Sequence, residues 1–575
     1  MMISDNRGVN SWENRLGLAL SLVLFGVVLA FQANQIPDMD NYFISLSTNG
    51  LYGESNYCLF INPLLCGLIG ALSSLSSEID WFMFLSRLII IGSIVWLLVG
   101  AWFVERNAIR RTAILFLALF FVVDTGLFSA NFTVFSGWFA ATGMYMLQLY
   151  LFNVEEVSNK VRGVILSGIV ILVASSFLFR WECGLLSLPF ILISVFPISI
   201  NSRGVGVSRI RLDAMRAHRL PLLVLGILVV SISAAQYFVR SLPENASAAQ
   251  YNSARSSIVD YPIRPYDELD EALPDVSKND YELASAWFFG DTEFYTADRL
   301  NRIAEAGSTR SSDSLVSLTT MKAAYEILSE RSVYLFILAS VFLGALFSTK
   351  DCTNRIKLFL AASLTAAIVI YYAYVGRLPF RVLVVLYMLF SATCLCLSSS
   401  ASEGRSDLQM SALTRAMGLT ISVLVAVAAL VSAQRWVESY RSRMLSPNEL
   451  TKLSEDQNMV SDGDAEAVFF WESASFVWAH RQAGVLPTRS YLEHNVPMGT
   501  WVYGQPYFEE MLERTGISNP VRYLAENDGV YYVCPEPDNI LQFIEEHYGI
   551  EVEARLAGEC LGTEVWEIEN TDGER

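Results

Sequence analysis

FMFLSRLIIIGSIVWLLVGAWFV, residues 82–104, is a run of 23 residues with a single charge, Arg87. About 20 mostly apolar residues are what a helix needs to cross a bilayer, where no water can satisfy the backbone. Similar runs lie on both sides of it. Reading outward gives eleven candidate spans, at about 16–33, 82–104, 112–129, 134–152, 162–179, 184–200, 220–239, 332–348, 357–374, 380–398 and 415–433. The first follows Arg15 and ends in Ala-Asn-Gln without a small-residue cleavage pattern, so it reads as an uncleaved anchor. The expected fold is mainly α: a polytopic membrane protein with about 11 transmembrane helices and a small C-terminal α+β domain.

Composition agrees and adds a division. Of 575 residues, 53% are apolar and 17% charged, and the net charge is −18. Residues 446–575 hold 25 acidic and 7 basic side chains, while the first 445 hold 33 of each. Two bodies are expected, a neutral membrane domain over 1–433 and an acidic domain over 465–575, joined by a polar linker over 434–464. No strongly basic surface is present to hold a nucleic acid.

Lys and Arg in the short loops set the orientation. Alternate loops carry Arg7 and Arg15; Arg106, Arg110 and Arg111; Lys160 and Arg162; Arg203, Arg209, Arg211, Arg216 and Arg219; Lys350, Arg355 and Lys357; Arg405 and Arg415. The other short loops and adjoining span ends hold only Arg87, Arg180, Arg377 and Arg381. The basic set is read as cytoplasmic. The N-terminus is then inside the cytoplasmic membrane and the C-terminal domain extracytoplasmic. Residues 57–75 are apolar enough for a further span, but counting them would reverse the parity of the basic loops. With Asn62-Pro63 and small residues along it, the stretch reads as a helix in the outer interface.

This topology turns three segments outward, 34–81, 240–331 and 434–575. Inner loops are too short for a catalytic domain, and no Gly-x4-Gly-Lys-Ser/Thr phosphate loop is present. The four histidines, His218, His480, His494 and His547, all lie outside the spans, which disfavours histidine-dependent chemistry within the membrane.

The first outer segment lacks Lys and Arg and opens with Asp38-Met39-Asp40. Two carboxylates so close repel, which raises the proton affinity of one toward that of a general base. They are also oxygen ligands for a divalent cation. The alternative is a solvated acidic turn. Charges at span ends are costly in hydrocarbon and need a partner or a task. Here Arg87, Asp124, Arg180, Glu182, Arg377 and Arg381 all fall at outer ends. Each alone is a snorkelling side chain or a structural ion pair, such as Arg180 with Glu182; together they suggest a polar site opening to the outer leaflet. Arg377 and Arg381 flank a short turn where two guanidiniums can grip a phosphate. In 240–331, Arg255, Asp260-Tyr261-Pro262, Asp280-Tyr281 and Trp287 interleave charge with aromatic rings, which suits sugar recognition and equally a helical cap with an aromatic core.

In the acidic domain, Ala465–Ala483, Pro506–Arg514, Asn519–Glu526 and Asp538–His547 read as helices, and 530–534, 550–556 and 563–568 as strands. A Cys534–Cys560 bridge is compatible with the spacing. Asn131-Phe-Thr and Asn245-Ala-Ser match the glycosylation pattern.

The inward first span, the outer loop opening with Asp38-Met39-Asp40, the interfacial helix and the ten further spans resemble the GT-C superfamily of membrane glycosyltransferases. Asp40-Asn41, Asn49-Gly50-Leu51-Tyr52-Gly53, Phe60-Ile61-Asn62, Trp81, and Arg255 with Asp260-Tyr261-Pro262 and Asn279-Asp280-Tyr281 are similar to polytopic proteins of bacterial surface-polysaccharide clusters. The resemblance covers most of 15–400 in layout and little of the C-terminal domain. It implies transfer of a sugar from a polyprenyl-phosphate donor to a surface glycan or glycolipid at the outer face of the membrane. Asp38 or Asp40 would deprotonate the acceptor hydroxyl. Arg377, Arg381 and Arg180 would hold the lipid phosphate, and Arg255, Asp260, Tyr261 and Trp287 would contact substrate. No cofactor is required, and a divalent cation on Asp38 and Asp40 is optional. Alternatives are a polymerase or ligase of polyprenyl-linked glycans, which would lean on the arginines, and a transporter or flippase. No ionisable residue near a span midplane supports the last.

Overall fold

The computed structural model describes residues 12–33, 38–53, 57–105, 107–153, 158–196, 198–201, 204–207, 209–308, 318–329, 332–349, 351–398, 467–481, 486–560 and 562–571. It is mainly helical, with a small C-terminal sheet. In chain order the first seventeen α-helices are α1 Trp12–Gln32, α2 Met39–Thr48, α3 Pro63–Ser73, α4 Trp81–Phe103, α5 Ala108–Thr125, α6 Phe132–Asn153, α7 Asn159–Phe179, α8 Trp181–Val195, α9 Arg209–Ala217, α10 Arg219–Arg240, α11 Pro243–Val259, α12 Lys278–Ser285, α13 Ala297–Gly307, α14 Leu318–Ser329, α15 Ser332–Ser348, α16 Cys352–Val375 and α17 Phe380–Leu397.

Among the described residues six helices are long and apolar enough to cross a membrane: α1, α4, α7, α10, α16 and α17. The other expected spans up to residue 398 also fall on helices, but α8 and α15 are shorter and α5 carries Arg110, Arg111 and Asp124. The segment expected to span at 184–200 stops at Val195, because Phe196 precedes Pro197 and is disfavoured in helical geometry. Its tail is instead strand β1, Ile198–Asn201, paired antiparallel with β2, Gly204–Val207. The span expected at 415–433, the linker 434–464 and Arg7, Arg106, Arg203, Lys350, Arg405 and Arg415 lie outside the described residues.

Residues 57–75 contain one short helix. Asn62 caps α3 by accepting from the Leu64 amide, and Pro63 sits at its first turn. Eleven residues rise only about 16 Å, too little for a span. Leu65, Cys66 and Ile69 are buried, whereas Leu64 and Leu68 are half exposed and Leu75, just past the helix, is 80% exposed.

The chain folds as two compact units. The first comprises 1–38, 84–235 and 313–443, the second 39–83, 236–312 and 444–575. Sequence reading set the C-terminal domain apart, but the second unit gathers three separated segments. Their aromatic side chains bury one another: Phe43 stacks on Phe476 at 5.9 Å and meets Trp501 edge-on at 6.1 Å, and Tyr52 stacks on Tyr507 at 6.3 Å.

In the first unit α6 packs against α7, α8 and α17. Gly137 allows the α6–α17 approach, since a Cβ there would lie 2.3 Å from Val385. At the end of the bundle where α5 begins, basic side chains serve backbone carbonyls: Arg110 donates to Ser398, Lys357 to Phe196, and Arg355 to Thr349. Cations there oppose the partial negative charge of helix C-termini. Arg110 also pairs with buried Glu105.

In the second unit a five-stranded sheet has the order β4-β3-β5-β7-β6, formed by β3 Val468–Trp471, β4 Asn495–Pro497, β5 Val530–Val533, β6 Val552–Cys560 and β7 Thr563–Asn570. Strand β3 runs parallel to both neighbours, and the β5–β7 and β7–β6 pairs are antiparallel. The helix expected over 465–483 is thus split. Val468-Phe-Phe-Trp471 is a wholly buried strand, as aromatic and β-branched runs in central parallel strands are, and helix starts only at Ser473. Helices Pro506–Arg514, Pro520–Glu526 and Asp538–Tyr548 fall where expected. Cys534 and Cys560 are separate buried thiols, so the bridge considered for them is not formed.

Candidate functional site

The end of the first unit where α5 finishes collects the charges singled out in the sequence. Asn131 organises it. As the residue before α6 it turns its amide oxygen to the Thr133 N–H at 2.9 Å, and its amide nitrogen donates to the Asp38 carboxylate at 2.7 Å. The Asp38 N–H donates to the Ser129 carbonyl at 3.2 Å. The Asp38 carboxylate therefore sits by the positive end of α6, which favours its charge.

Arg180 joins α7 to α8 in extended geometry. Its guanidinium lies 3.1 Å from Glu182 and 5.1 Å above the Phe132 ring, next to Asn131. The ion pair considered for Arg180 and Glu182 is formed. Asp38 and Arg180 thus share the α6 N-terminus. Arg87 reaches the Ala33 carbonyl at 3.4 Å and lies over Phe128 at 5.4 Å.

Arg377 follows Gly376, whose left-handed φ of 82° ends α16, and Arg381 stands in the first turn of α17. Both are half-buried. Phe380 meets Tyr334 at 5.6 Å, and the Tyr334 hydroxyl donates to the Asp124 carboxylate. Asp124 ends α5, where the helix dipole opposes a negative charge, so this donor matters. Tyr334→Phe is expected to destabilise the first unit by about 1–3 kcal/mol, read as a lower thermal midpoint of the purified chain; an unchanged midpoint would refute it. Asp124 and Arg180 were legible as charges in apolar runs. Asn131 and Tyr334 were not singled out for this role. The signal for Asn131 was its position ahead of an apolar run, as a helix cap, and not the glycosylation pattern, since its side chain is buried and engaged. Asn245 is likewise buried, donating to Val239 at 2.9 Å.

The acidic pair is divided between the units. Asp38 closes a segment of the first, and Asp40 lies in the first turn of α2 in the second.

The residues expected to contact substrate lie in the second unit. Arg255 is 2% exposed, donates to Asn252 at 2.6 Å, and lies 4.7 Å above the Trp287 ring. Asp260 caps the end of α11 and is half-buried, as is Tyr261. Trp287 has φ +68°, strained for a bulky side chain, and its carbonyl accepts from the Ser473 hydroxyl at 3.0 Å. The structure joins Arg255 and Trp287 directly.

Two other carboxylates of this region hold the second unit together. Asp280 is wholly buried, accepts from the Ser277 N–H at 2.8 Å in a capping box, and meets His547 Nε2 at 2.7 Å. Asp291 accepts from Asn519 at 3.1 Å and from the Tyr548 hydroxyl, and burial pushes the ionisation of that hydroxyl upward. Among the described residues Asp280, Glu546 and His547 are the group of three donors near enough to share a metal ion. Their atoms already serve hydrogen bonds, Glu546 accepting from Ser277 at 2.7 Å, so they act as a helix-capping network.

Comparison with protein-family models, curated proteins and solved structures finds no match to this chain.

Proposed function

We propose that the protein is a GT-C-like membrane glycosyltransferase that moves a sugar from a polyprenyl-phosphate donor to a surface glycan or glycolipid. In this reading about eleven helices cross the cytoplasmic membrane, the N-terminus is inside, and the second unit faces out, with the uncovered apolar face of α3 in the outer interface. What supports it is that Asp38 and Arg180 share the N-terminus of α6, while the turn carrying Arg377 and Arg381 is tied to Asp124 through Phe380 and Tyr334. A carboxylate there can take the proton of an acceptor hydroxyl as that oxygen attacks the anomeric carbon. The bond from that carbon to the lipid phosphate then breaks, and the departing phosphate is held by guanidiniums. A divalent cation would supplement the arginines and is not required.

The test is sugar transfer from a polyprenyl-phosphate donor in proteoliposomes, with Asp38→Asn and Asp40→Asn made separately. Loss of the general base is expected to slow transfer by about 10²–10⁴-fold in one of them. Undiminished transfer in both would sink the acid–base reading. It would favour the second reading, a polymerase or ligase that relies on Arg377 and Arg381.

A further inference from the structure

Two cysteines meet at the start of α3 in the second unit. Cys58 forms an antiparallel bridge with Ile61, and its carbonyl accepts from the Ile61 N–H at 3.2 Å. From the first turn of α3 the Cys66 thiol donates to the Ile61 carbonyl at 3.8 Å. The Cys58 backbone amide also reaches the Cys66 sulfur, and the two sulfurs lie within electrostatic range of each other. Tyr57 and Tyr507 sense both sulfurs at once, which places the pair together a second time. Both cysteines are buried thiols.

The two segments they join are held differently. Around Cys58 the chain is fixed to the body of the unit: Tyr57 and Leu59 pack with Ala248 of α11, and Phe60 meets Trp501 edge-on at 4.9 Å. Helix α3 has less to hold it. Leu65, Cys66 and Ile69 are buried, but Leu64 and Leu68 turn an apolar face outward, and the Ser73 hydroxyl ties the far end to Asn49 at 2.9 Å. A surface that takes up Leu64 and Leu68 pulls α3 away from the unit, and the near end of the helix is where Cys66 stands.

Reactivity separates this pair from the other cysteines and sets when it can react. Cys394 and Cys396 are two residues apart on α17, where side chains do not face each other. Burial pushes the Cys66 thiol well above its ordinary range, and the Cys58 sulfur beside it adds to the effect. A protonated thiol shut off from solvent exchanges slowly, so a bond made earlier is protected once the unit has closed.

We propose that Cys58 and Cys66 are a redox pair whose disulfide clamps α3 to the second unit. The oxidant is a disulfide, carried by a thiol–disulfide oxidoreductase or a small molecule of the outer compartment. One thiolate of the pair attacks an oxidant sulfur, and the other oxidant sulfur leaves as a thiol. The second cysteine then attacks the mixed disulfide and expels the remaining oxidant sulfur. One disulfide is reduced to two thiols, and two protons and two electrons pass from the cysteines to it. The reaction belongs to the newly exported segment, before both sulfurs are covered. It draws on the outward orientation of the second unit and not on the transferase chemistry.

For the test, the full chain is purified from membranes, blocked with N-ethylmaleimide under denaturing conditions and cut with chymotrypsin, which cleaves at Leu59, Phe60, Leu64 and Leu65. The peptides carrying Cys58 and Cys66 are expected to stay joined until a reductant is added. In nanodiscs, reduction is expected to lower the thermal midpoint by about 5 °C and to speed amide hydrogen exchange of α3 by about tenfold or more. Cys58→Ser and Cys66→Ser are each expected to free the other thiol for maleimide and to abolish both responses to reductant. Cys58→Ala and Cys66→Ala repeat the test should a serine variant fail to fold. Thiols that are reduced as isolated but bridge under glutathione disulfide would support the pairing and count against the outward orientation. The inference is overturned if both thiols take maleimide with and without glutathione disulfide, or if the midpoint and α3 exchange ignore reduction of the bridged chain. Loss of sugar transfer with the bond intact would count against the transferase reading alone.

Discussion

Alanine at position 499 is expected to destabilise the second unit by about 3 kcal/mol or more. A Cβ on Gly499 would stand 1.7 Å from the Trp287 carbonyl oxygen and 2.2 Å from the Ser473 hydroxyl. The nearer atom is backbone, so no side-chain rotation relieves the overlap. The segment 287–289 must move away, breaking the Phe288–Gly499 bridge and the Phe289 N–H bond to the Met498 carbonyl at 2.9 Å. That carbonyl belongs to a residue whose own N–H is held by Trp471 of β3 at 2.7 Å, so the disturbance reaches the sheet. Amide hydrogen exchange of β3 and β5 in the full chain is the measurement, and native-like protection in Gly499→Ala would refute the argument. Gly67→Ala in α3 is the control. Nothing lies within 4 Å of its Cβ position, and the change should stabilise the helix by up to about 1 kcal/mol.

His547→Leu carries the second large effect, a loss of about 3 kcal/mol. Asp280 is inaccessible to water, and His547 is the donor on its Oδ1, while the Ser277 N–H serves its other oxygen. The histidine ring also lies 4.2 Å from Phe294 and 4.4 Å from Phe543, which leucine replaces only in part. Removing the partner leaves a buried carboxylate short of a donor, and that desolvation dominates the cost. The double variant Asp280→Asn/His547→Leu should recover part of it, because the uncompensated charge is gone. Denaturant unfolding followed by near-UV signals of the second unit tests both. A single-variant loss below about 0.5 kcal/mol would show that the pair is incidental.

Sequence periodicity located the helices of the first unit because each is a long apolar run bounded by caps, such as Asn107 before α5 and Asp351 before α16. Charge in those runs marked Asp124, Arg180, Arg377 and Arg381 for the same reason. The missing part is tertiary. Val468–Trp471 reads as the start of a helix until β4 and β5 are known to flank it, since four apolar residues fit either period. The division into units was hidden because it depends on Phe43 meeting Phe476 across more than 400 residues of chain. Asn131 was legible only as part of a glycosylation pattern, because its task, bridging a helix start to Asp38, joins residues 93 positions apart.

The three-part construction of the second unit also sets an order of events during synthesis. Helix α2 is made early, yet its Phe43 finds Phe476 and Trp501 only after four hundred further residues have been translated. Tyr52 waits about as long for Tyr507 and Phe508. Until then these aromatic side chains lack those partners, and transiently uncovered apolar surface invites aggregation and recognition by chaperones. A ribosome that stalls before residue 468 therefore releases a chain whose first loop is as unfinished as its last. Quality control acting on either end would read the same defect.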